Sequence, residues 1–461
     1  MHRWESIQKS LVSELETSPT LGWMRHILKL RYNDLSHSLK TCFLYLGIYP
    51  EDYKIEKVNQ IRRWIAEGFV DYRHGLTPEE VAESFFNELI NRSMIQPTGY
   101  EYGELTHCQV HDIMLDFILS KSTEENFITV MDHKYSTKGS FKARRLRLQF
   151  ESTHAHFIPT IMSLSQIRSL TIFGWQYADG MPYILRFELL RVLDLYCDKF
   201  GTGVLDVSAI CKLFQLRFLR IDNYQFNMPK QIGELRHLET LDIGDAITFC
   251  IPEDITRLKS LRNLNIPSEA VLPKGIGKMI ALRALGFFNL AENSVESICD
   301  LEWTSQLDKL TSLKVRVNEL KRDDVELLGE LPCLAYLDLS APKEPTEDII
   351  FHSNAYRRLR EFGFAYTFSS VTFEPFTMAK LQVLHLTFYM RRKEEECSSL
   401  TGIEHLLNLD QLTARIYNRG NIGASFRDAI LRHPRSHKFN ILFPRFFWYS
   451  GNWFCLAQPA A

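Results

Sequence analysis

No two of the nine cysteines form a C-x-x-C pair, and the nine are scattered and odd in number. That excludes a disulfide framework and a paired-cysteine zinc site, and it fits reduced thiols in a cytosolic or nuclear protein. Equally missing is any run of about 18 uncharged apolar residues, and the opening MHRWESIQKS has no apolar segment. Neither a membrane span nor a secretory leader therefore has a signal. Net charge is small, with 54 Lys plus Arg against 56 Asp plus Glu and a formal total of -2. Nothing in that balance points to nucleic acid or an anionic membrane, so a charge-driven partner must meet a local patch. Ser, His and Asp residues show no nucleophile elbow or other catalytic signature. No G-x-x-x-x-G-K-[ST] occurs; the nearest lookalike, GIGKM at Gly275–Met279, lacks the spacing and the hydroxyl. What is plentiful is apolar material, 45% hydrophobic and 12% aromatic over 461 residues, enough for two or more packed domains.

The first stretch of that material is helical. Leu39, Cys42, Phe43 and Leu46 fall on one helical face and Pro50 ends it. A second face, Val58, Ile61, Trp64 and Ile65, follows the Tyr-Pro-Glu-Asp turn, and Gly68 is placed to leave the helix at positive φ. Thr77-Pro78-Glu79-Glu80 reads as a capping box that starts a third helix, with Val81, Phe85 and Leu89 inward. Pro97, Gly99 and Gly103 then punctuate short extended pieces, a β-hairpin pattern between Met94 and Val110. Asp112 is placed to cap a last helix, with His111 just ahead of it. Three helices and a hairpin outline a winged helix. Such a fold admits DNA binding, with Arg62 and Arg63 as groove or phosphate contacts, but this helix also carries Glu56 and Glu67 and is dominated by apolar residues. A packed core helix is the simpler reading. His107-Cys108-Gln109-Val110-His111 offers metal-ligand types but lacks a fourth ligand and a fitting geometry.

From Phe141 onward one pattern recurs: an apolar residue, two others, an apolar residue, one other, an apolar residue. Twelve copies begin at Ala143, Ile167, Leu190, Leu216, Leu238, Leu261, Leu282, Leu310, Leu334, Leu359, Leu381 and Leu409, spaced by 21 to 28 residues. That period is the leucine-rich-repeat range. Three central units extend it as P-x-x-I-x-x-[LM]-x-x-L, beginning at Pro229, Pro252 and Pro273. Side chains on a strand alternate, so the leucines point into a shared core and the residues between them face a concave surface. One repeat cannot bury its own face, and stacking supplies the core. Asp194, Tyr196, Arg220, Asp222, Asp242, Phe288, Lys314 and Arg316 fall on the concave columns and are the candidate ligand-recognition residues. The columns mix both signs with aromatics, as protein-recognition faces do, and lack the continuous basic stripe that nucleic acid favours. A solvated sheet face is the alternative for any one residue. The register predicts that Leu241→Asp or Leu264→Asp unfolds part of the array, whereas Asp242→Ala leaves stability nearly unchanged. The C-terminal FRDAILRHPRSHKFNILFPRFFWYSG reads as a closing helix and strand with an aromatic tail.

With these residues in hand, the chain resembles the nucleotide-binding leucine-rich-repeat immune receptors of plants, in particular the coiled-coil type. ILKLRYNDLSHSLKTCFLYLGIYPEDYKIEKVNQIRRWIAEGFV, Ile27 to Val70, is similar to that family's run through C-F-L-Y, F-P-E-D and W-I-A-E-G-F; ELINRSMIQP and QVHDIMLDFILSKSTEENF resemble the stretch that ends in its Met-His-Asp motif. Four positions depart: Arg31 for Ser, Ser36 for Pro, Tyr49 for Phe and Val110 for Met. The resemblance implies an α/β chain in which a helical winged-helix domain precedes a leucine-rich-repeat solenoid. The implied division is 1–26 as a remnant of the segment after a nucleotide-binding core, 27–130 as winged helix, 131–435 as about twelve repeats, and 436–461 as cap and tail. It implies that His111, with Asp112 holding it, contacts the ADP phosphate of an ADP/ATP switch whose P-loop core is absent here, so that this chain binds no nucleotide tightly and is not an enzyme. It further implies a cytoplasmic, or nuclear, disease-resistance protein whose partners are proteins: a pathogen effector or guarded host protein, and the nucleotide-binding domain of a full-length receptor. No nucleic acid is expected. The alternatives are a truncated repeat adaptor or decoy without switch activity, and a winged-helix DNA binder. On the residues alone, His111 is an ordinary capping or core histidine.

Overall fold

The structure is a computed structural model that describes residues 19–101, 104–132, 144–149, 164–174, 184–196, 204–222, 225–244, 251–267, 270, 272–290, 301–343, 347–367, 370–389, 399–417, 421–442, 445–449 and 452–456. The segment 1–18, most of the expected remnant, lies outside them. The chain divides into two units, Met1–Trp175 with Arg186–Tyr196, and Gln176–Leu185 with Cys197–Ala461. The division does not follow the boundary expected at residue 130.

In the first unit the helices are α1 (Pro19–Asn33), α2 (His37–Tyr45), α3 (Lys57–Glu67), α4 (Pro78–Asn91) and α5 (Asp112–Glu124). Each start and stop has a local cause. Ser36 caps α2 by accepting from Leu39 N. Gly68 ends α3 at φ 82°, a left-handed conformation that costs other residues more, and its N–H closes on Ile65 O. Thr77 and Glu80 form the reciprocal capping box of α4, with Pro78 at its first turn. The wing is a three-stranded antiparallel sheet in the order β1 (Ile55–Glu56), β3 (Glu104–Gln109), β2 (Gln96–Glu101). Leu39, Phe43, Trp64, Phe85, Phe86 and Ile118 are buried in the core between these elements. Val58, expected on the inner face of α3, is 46% exposed, and the buried face instead carries Gln60, Arg63 and Glu67 beside Ile61 and Trp64.

Four parallel strands complete this unit: β4 (Thr129–Asp132), β5 (Arg145–Gln149), β6 (Ser169–Phe173) and β7 (Val192–Tyr196). The last three are the first three predicted repeats. β4 has no repeat pattern and was not expected; it extends the sheet with Val130 opposite Arg147.

The second unit holds the other nine predicted repeats, each a parallel strand beginning with Phe218–Asp222 and ending with Gln411–Tyr417. Leu219, Leu241, Leu264, Leu285, Leu313, Leu337, Phe362, Leu384 and Leu412 repeat at one inward level, all at most 2% exposed. Among the described residues the chain returns between strands mostly through short 3-10 turns such as Ile232–Glu234 and Glu253–Arg257, with one longer helix, α6 (Arg322–Glu330). The expected closing elements are present: α7 (Asn421–Leu431) and the strand Asn440–Leu442, which pairs with Thr413–Arg415. The aromatic tail forms an antiparallel hairpin, Arg445–Tyr449 with Asn452–Leu456.

Candidate functional site

The least expected feature of the first unit is a cation with no exposure to water. Arg63 lies on the face of α3 that turns to the strands, and it is 0% exposed. Its Nη1 donates to Asp194 Oδ2 at 2.6 Å and to Tyr49 Oη at 3.1 Å; its Nη2 donates to Thr171 Oγ1 at 2.7 Å and to Tyr45 Oη at 3.2 Å. The guanidinium carbon lies 5.2 Å and 5.1 Å from the Tyr45 and Tyr49 ring centroids. Burial works against the charge, yet the two phenol oxygens and the Asp194 carboxylate more than offset it and hold Arg63 well above its ordinary value. Burial likewise raises Tyr49, and Tyr49 Oη donates onward to Gln60 Oε1 at 2.7 Å. A buried ion pair is tolerable only when its remaining hydrogen-bonding capacity is met in this way.

Two more arginines bind the same elements together. Arg145 of β5 reaches Glu67 Oε2 at 3.1 Å and lies over the rings of Phe69 and Phe127, while Arg147 Nη1 donates to Tyr49 O at 2.7 Å. Tyr53 meets Phe173 and Tyr196 edge-on, each at 5.5 Å between centroids, and those two rings stack at 4.7 Å.

This packing corrects one expectation and bears on two readings that the sequence had set aside. Asp194 and Tyr196 do not stand on an open recognition face: they are 0% and 6% exposed, the first paired with Arg63 and the second under Tyr53. Arg63 has no atom left for a DNA groove, because its charge is neutralised inside the protein. The His107 to His111 stretch forms no metal cluster, since strand alternation separates its neighbours and Cys108 is fully buried opposite Ile55. No metal-binding group of His, Cys, Asp and Glu is found among the described residues.

His111 and Asp112 are both exposed at the start of α5, and the cap expected of Asp112 falls one residue earlier, on His111. His111 is the cap: its Nδ1 accepts from Ile113 N at 3.4 Å, and Asp112 is the first helical residue. An accepting Nδ1 assigns the ring proton to Nε2, leaving that N–H free to donate to an external anion. The local field opposes an anion, however. The Glu51 carboxyl is raised by partial burial and by the carboxylates of Asp112, Asp52 and Asp116. A phosphate beside His111 therefore needs counter-charge that these side chains do not supply.

The second unit carries the other six recognition candidates. Arg220 bridges Asp222 at 3.2 Å and Asp242 at 3.7 Å, and Asp242 Oδ1 accepts from Asn265 Nδ2 at 2.7 Å. Asp242 is only 4% exposed, a rung in a concave hydrogen-bond ladder. Lys314 and Arg316 are half-buried on the same face, Lys314 with its ammonium 5.3 Å from the Tyr336 ring centroid. Phe288 was expected beside Arg316 but pairs with Val315 and is 0% exposed. The cause is a β-bulge: Leu285 pairs with Leu313 and Phe288 with Val315, so two residues stand opposite Lys314 and the aromatic ring turns into the core.

The fold and this arrangement agree with the comparisons. Models of a leucine-rich repeat region match residues 166–303 and 301–437, and a disease resistance protein winged helix domain matches residues 48–118. Disease resistance protein RGA5 of Oryza sativa subsp. japonica is 31% identical over 530 aligned positions, covering 94% of this chain and 47% of the relative. Disease resistance protein Pik-2 of the same rice is 35% identical over 354, covering 68% of this chain and 34% of its own. A probable disease resistance RPP8-like protein 2 of Arabidopsis thaliana is 31% identical over 326, covering 67% and 36%. The chain belongs to the plant disease resistance proteins that join a winged helix to leucine-rich repeats. It spans about half the length of the first of these relatives and about a third of the other two. Among the described residues no helix is long and apolar enough to cross a membrane.

Proposed function

We propose that this chain is the regulatory and recognition portion of an intracellular immune receptor, in which the second unit's concave face binds an effector or host protein and the first unit belongs to an ADP/ATP switch. The observation that carries the reading is the commitment of α3. In a DNA-binding winged helix the recognition helix must present cations to the groove; here its fully buried cation is spent on Asp194 and Thr171 of the first repeats. A winged helix used in this way serves the repeat array. Mixed charge around Arg220, Asp222, Lys314 and Arg316 suits a protein partner.

In the switch, His111 Nε2 would donate to the phosphate of ADP at the N-terminus of α5, where the helix favours an anion. Against the acidic surround of Glu51, Asp52, Asp112 and Asp116, one histidine cannot hold a nucleotide, and the sequence carries no phosphate-cradling loop. Isothermal titration of this chain with ADP is expected to show no affinity at roughly micromolar concentration; micromolar binding would contradict the assignment. Joined to the nucleotide-binding portion of a related receptor, His111→Ala is expected to raise ligand-independent signalling, and an added replacement of that portion's P-loop lysine to abolish it. Signalling unchanged by His111→Ala at matched protein levels leaves His111 as a helix cap and favours an adaptor without switch activity.

A further inference from the structure

In the first unit the residue just before each repeat strand is an arginine: Arg144, Arg168 and Arg191. Their backbones are stacked by hydrogen bonds, Arg168 N to Arg144 O at 2.6 Å and Arg191 N to Arg168 O at 2.7 Å. The three side chains thus rise from one rim at the strand spacing, about 5 Å. Arg168 and Arg191 are half-buried and Arg144 exposed. Like charges so placed repel, and Arg168 is lowered by desolvation and then by Arg144 and Arg191.

A structural ladder would be neutralised, as Arg217 is at the same rim position in the second unit and Arg145 is inside the adjoining strand. In the second unit Arg217 lies 3.7 Å from Glu239, and in the first Arg145 takes Glu67. Among the described residues, Arg144, Arg168 and Arg191 have no ion pair and no side-chain hydrogen bond. Glu67, 4% exposed, is the carboxylate whose charge reaches Arg168; one oxygen is held by Arg145, and the other, Oε1, is buried without a hydrogen-bond partner. Arg145 pairs with this carboxylate and Arg168 feels its charge, so it is at best divided between them. Arg191 also lies beside the C-terminus of α3, its Nη1 about 4.0 Å from where a side chain on Gly68 would begin. The helix end offers partial negative charge, which steadies one member of the row and leaves the others unbalanced.

We propose that the Arg144, Arg168 and Arg191 ladder is a binding site for a compact polyphosphorylated molecule, one that sets adjacent phosphates against adjacent guanidiniums. Guanidinium is suited to this because its planar fork grips phosphate oxygens in pairs and stays charged at any physiological pH. The rim spacing favours several phosphates on a small scaffold over a single phosphate, and the charge excess makes the affinity steeply dependent on salt. The site is separate from His111 and does not rest on the switch reading.

The test is isothermal titration of the whole chain with inorganic tripolyphosphate and inositol hexakisphosphate, with sulfate at matched ionic strength as control. Both polyphosphates are expected to bind and sulfate is not. Arg168→Gln is expected to weaken binding at least tenfold, Arg168→Lys to restore part of it, and Arg217→Gln to leave it unchanged. Thermal stability without ligand should stay level or rise in Arg168→Gln, because a repulsive neighbour is removed; a structural arginine would lower it. Pelleting with phosphatidylcholine vesicles, with and without phosphatidylinositol bisphosphate, distinguishes sources: ladder-dependent pelleting without a response to soluble anions assigns the phosphates to a lipid headgroup. No response to any of these anions at low salt, or equal binding by Arg168→Gln and the unaltered chain, overturns the proposal.

Discussion

Arg63→Ala is expected to destabilise the first unit by about 3–5 kcal/mol, the cost of stranding a buried carboxylate without its counter-charge. Asp194 is 0% exposed and cannot recover water in place of the lost guanidinium, while Thr171, Tyr45 and Tyr49 each lose a donor. Arg63→Met combined with Asp194→Leu should recover part of the loss, since the two charges are removed together, while Thr171, Tyr45 and Tyr49 still lack their donor. Two units need not unfold in one step, so the measurement must report on this unit alone. Cys42 and Cys108 serve, both 0% exposed, with burial pushing the Cys108 thiol up to about 12. Their labelling in urea gives the opening free energy, and an Arg63→Ala protein that labels like the parent would contradict the buried pair.

In the second unit Leu241→Asp is expected to open the central repeats, because an unpaired charge enters a fully buried level and neighbouring repeats share the damage. Cys211 is the reporter there, 5% exposed and pushed up to about 11 by burial and then by Asp254. It follows directly on Ile210, which with Val207, Leu219 and Leu241 lines one apolar recess. The sequence alone predicted that Asp242→Ala would be silent. The ladder to Asn265, Gly244 and Arg220 changes that expectation to a loss of about 1–3 kcal/mol, the usual cost of orphaned buried partners. Leu241→Asp should therefore expose Cys211 without denaturant while Asp242→Ala only lowers the urea midpoint. Equal effects at both positions would refute the register.

The repeat strands were legible because their signal is redundant: twelve copies of one apolar spacing leave little freedom of register, and all twelve are strands in one of the two units. Thr129–Asp132 was missed because it borrows its core from a neighbour and needs no leucine pattern of its own. Phe288 was misplaced because a bulge inserts one residue without changing composition, and Gly286-Phe287-Phe288 reads equally well in either phase. Caps were legible at Thr77 and Gly68, where the chemistry is strictly local, but the cap of the last helix falls one residue before the one expected at Asp112, because His111 can also cap a helix. Arg63 was beyond reach from the sequence. Nothing near it distinguishes a solvated arginine from a buried one, since its partners Thr171 and Asp194 lie 108 and 131 residues away. The same distance hid the burial of Asp194 and Tyr196.

By this packing α3 and the first repeat strands form one folding unit, and the winged helix holds the start of a repeat array. Native-state hydrogen exchange across Lys57–Glu67, Ser169–Phe173 and Val192–Tyr196 tests it most directly. The account predicts that these amides share one opening free energy and that Arg63→Ala lowers all three segments together. Exchange of α3 that is fast while both strands stay protected, or a response to Arg63→Ala confined to α3, would contradict it.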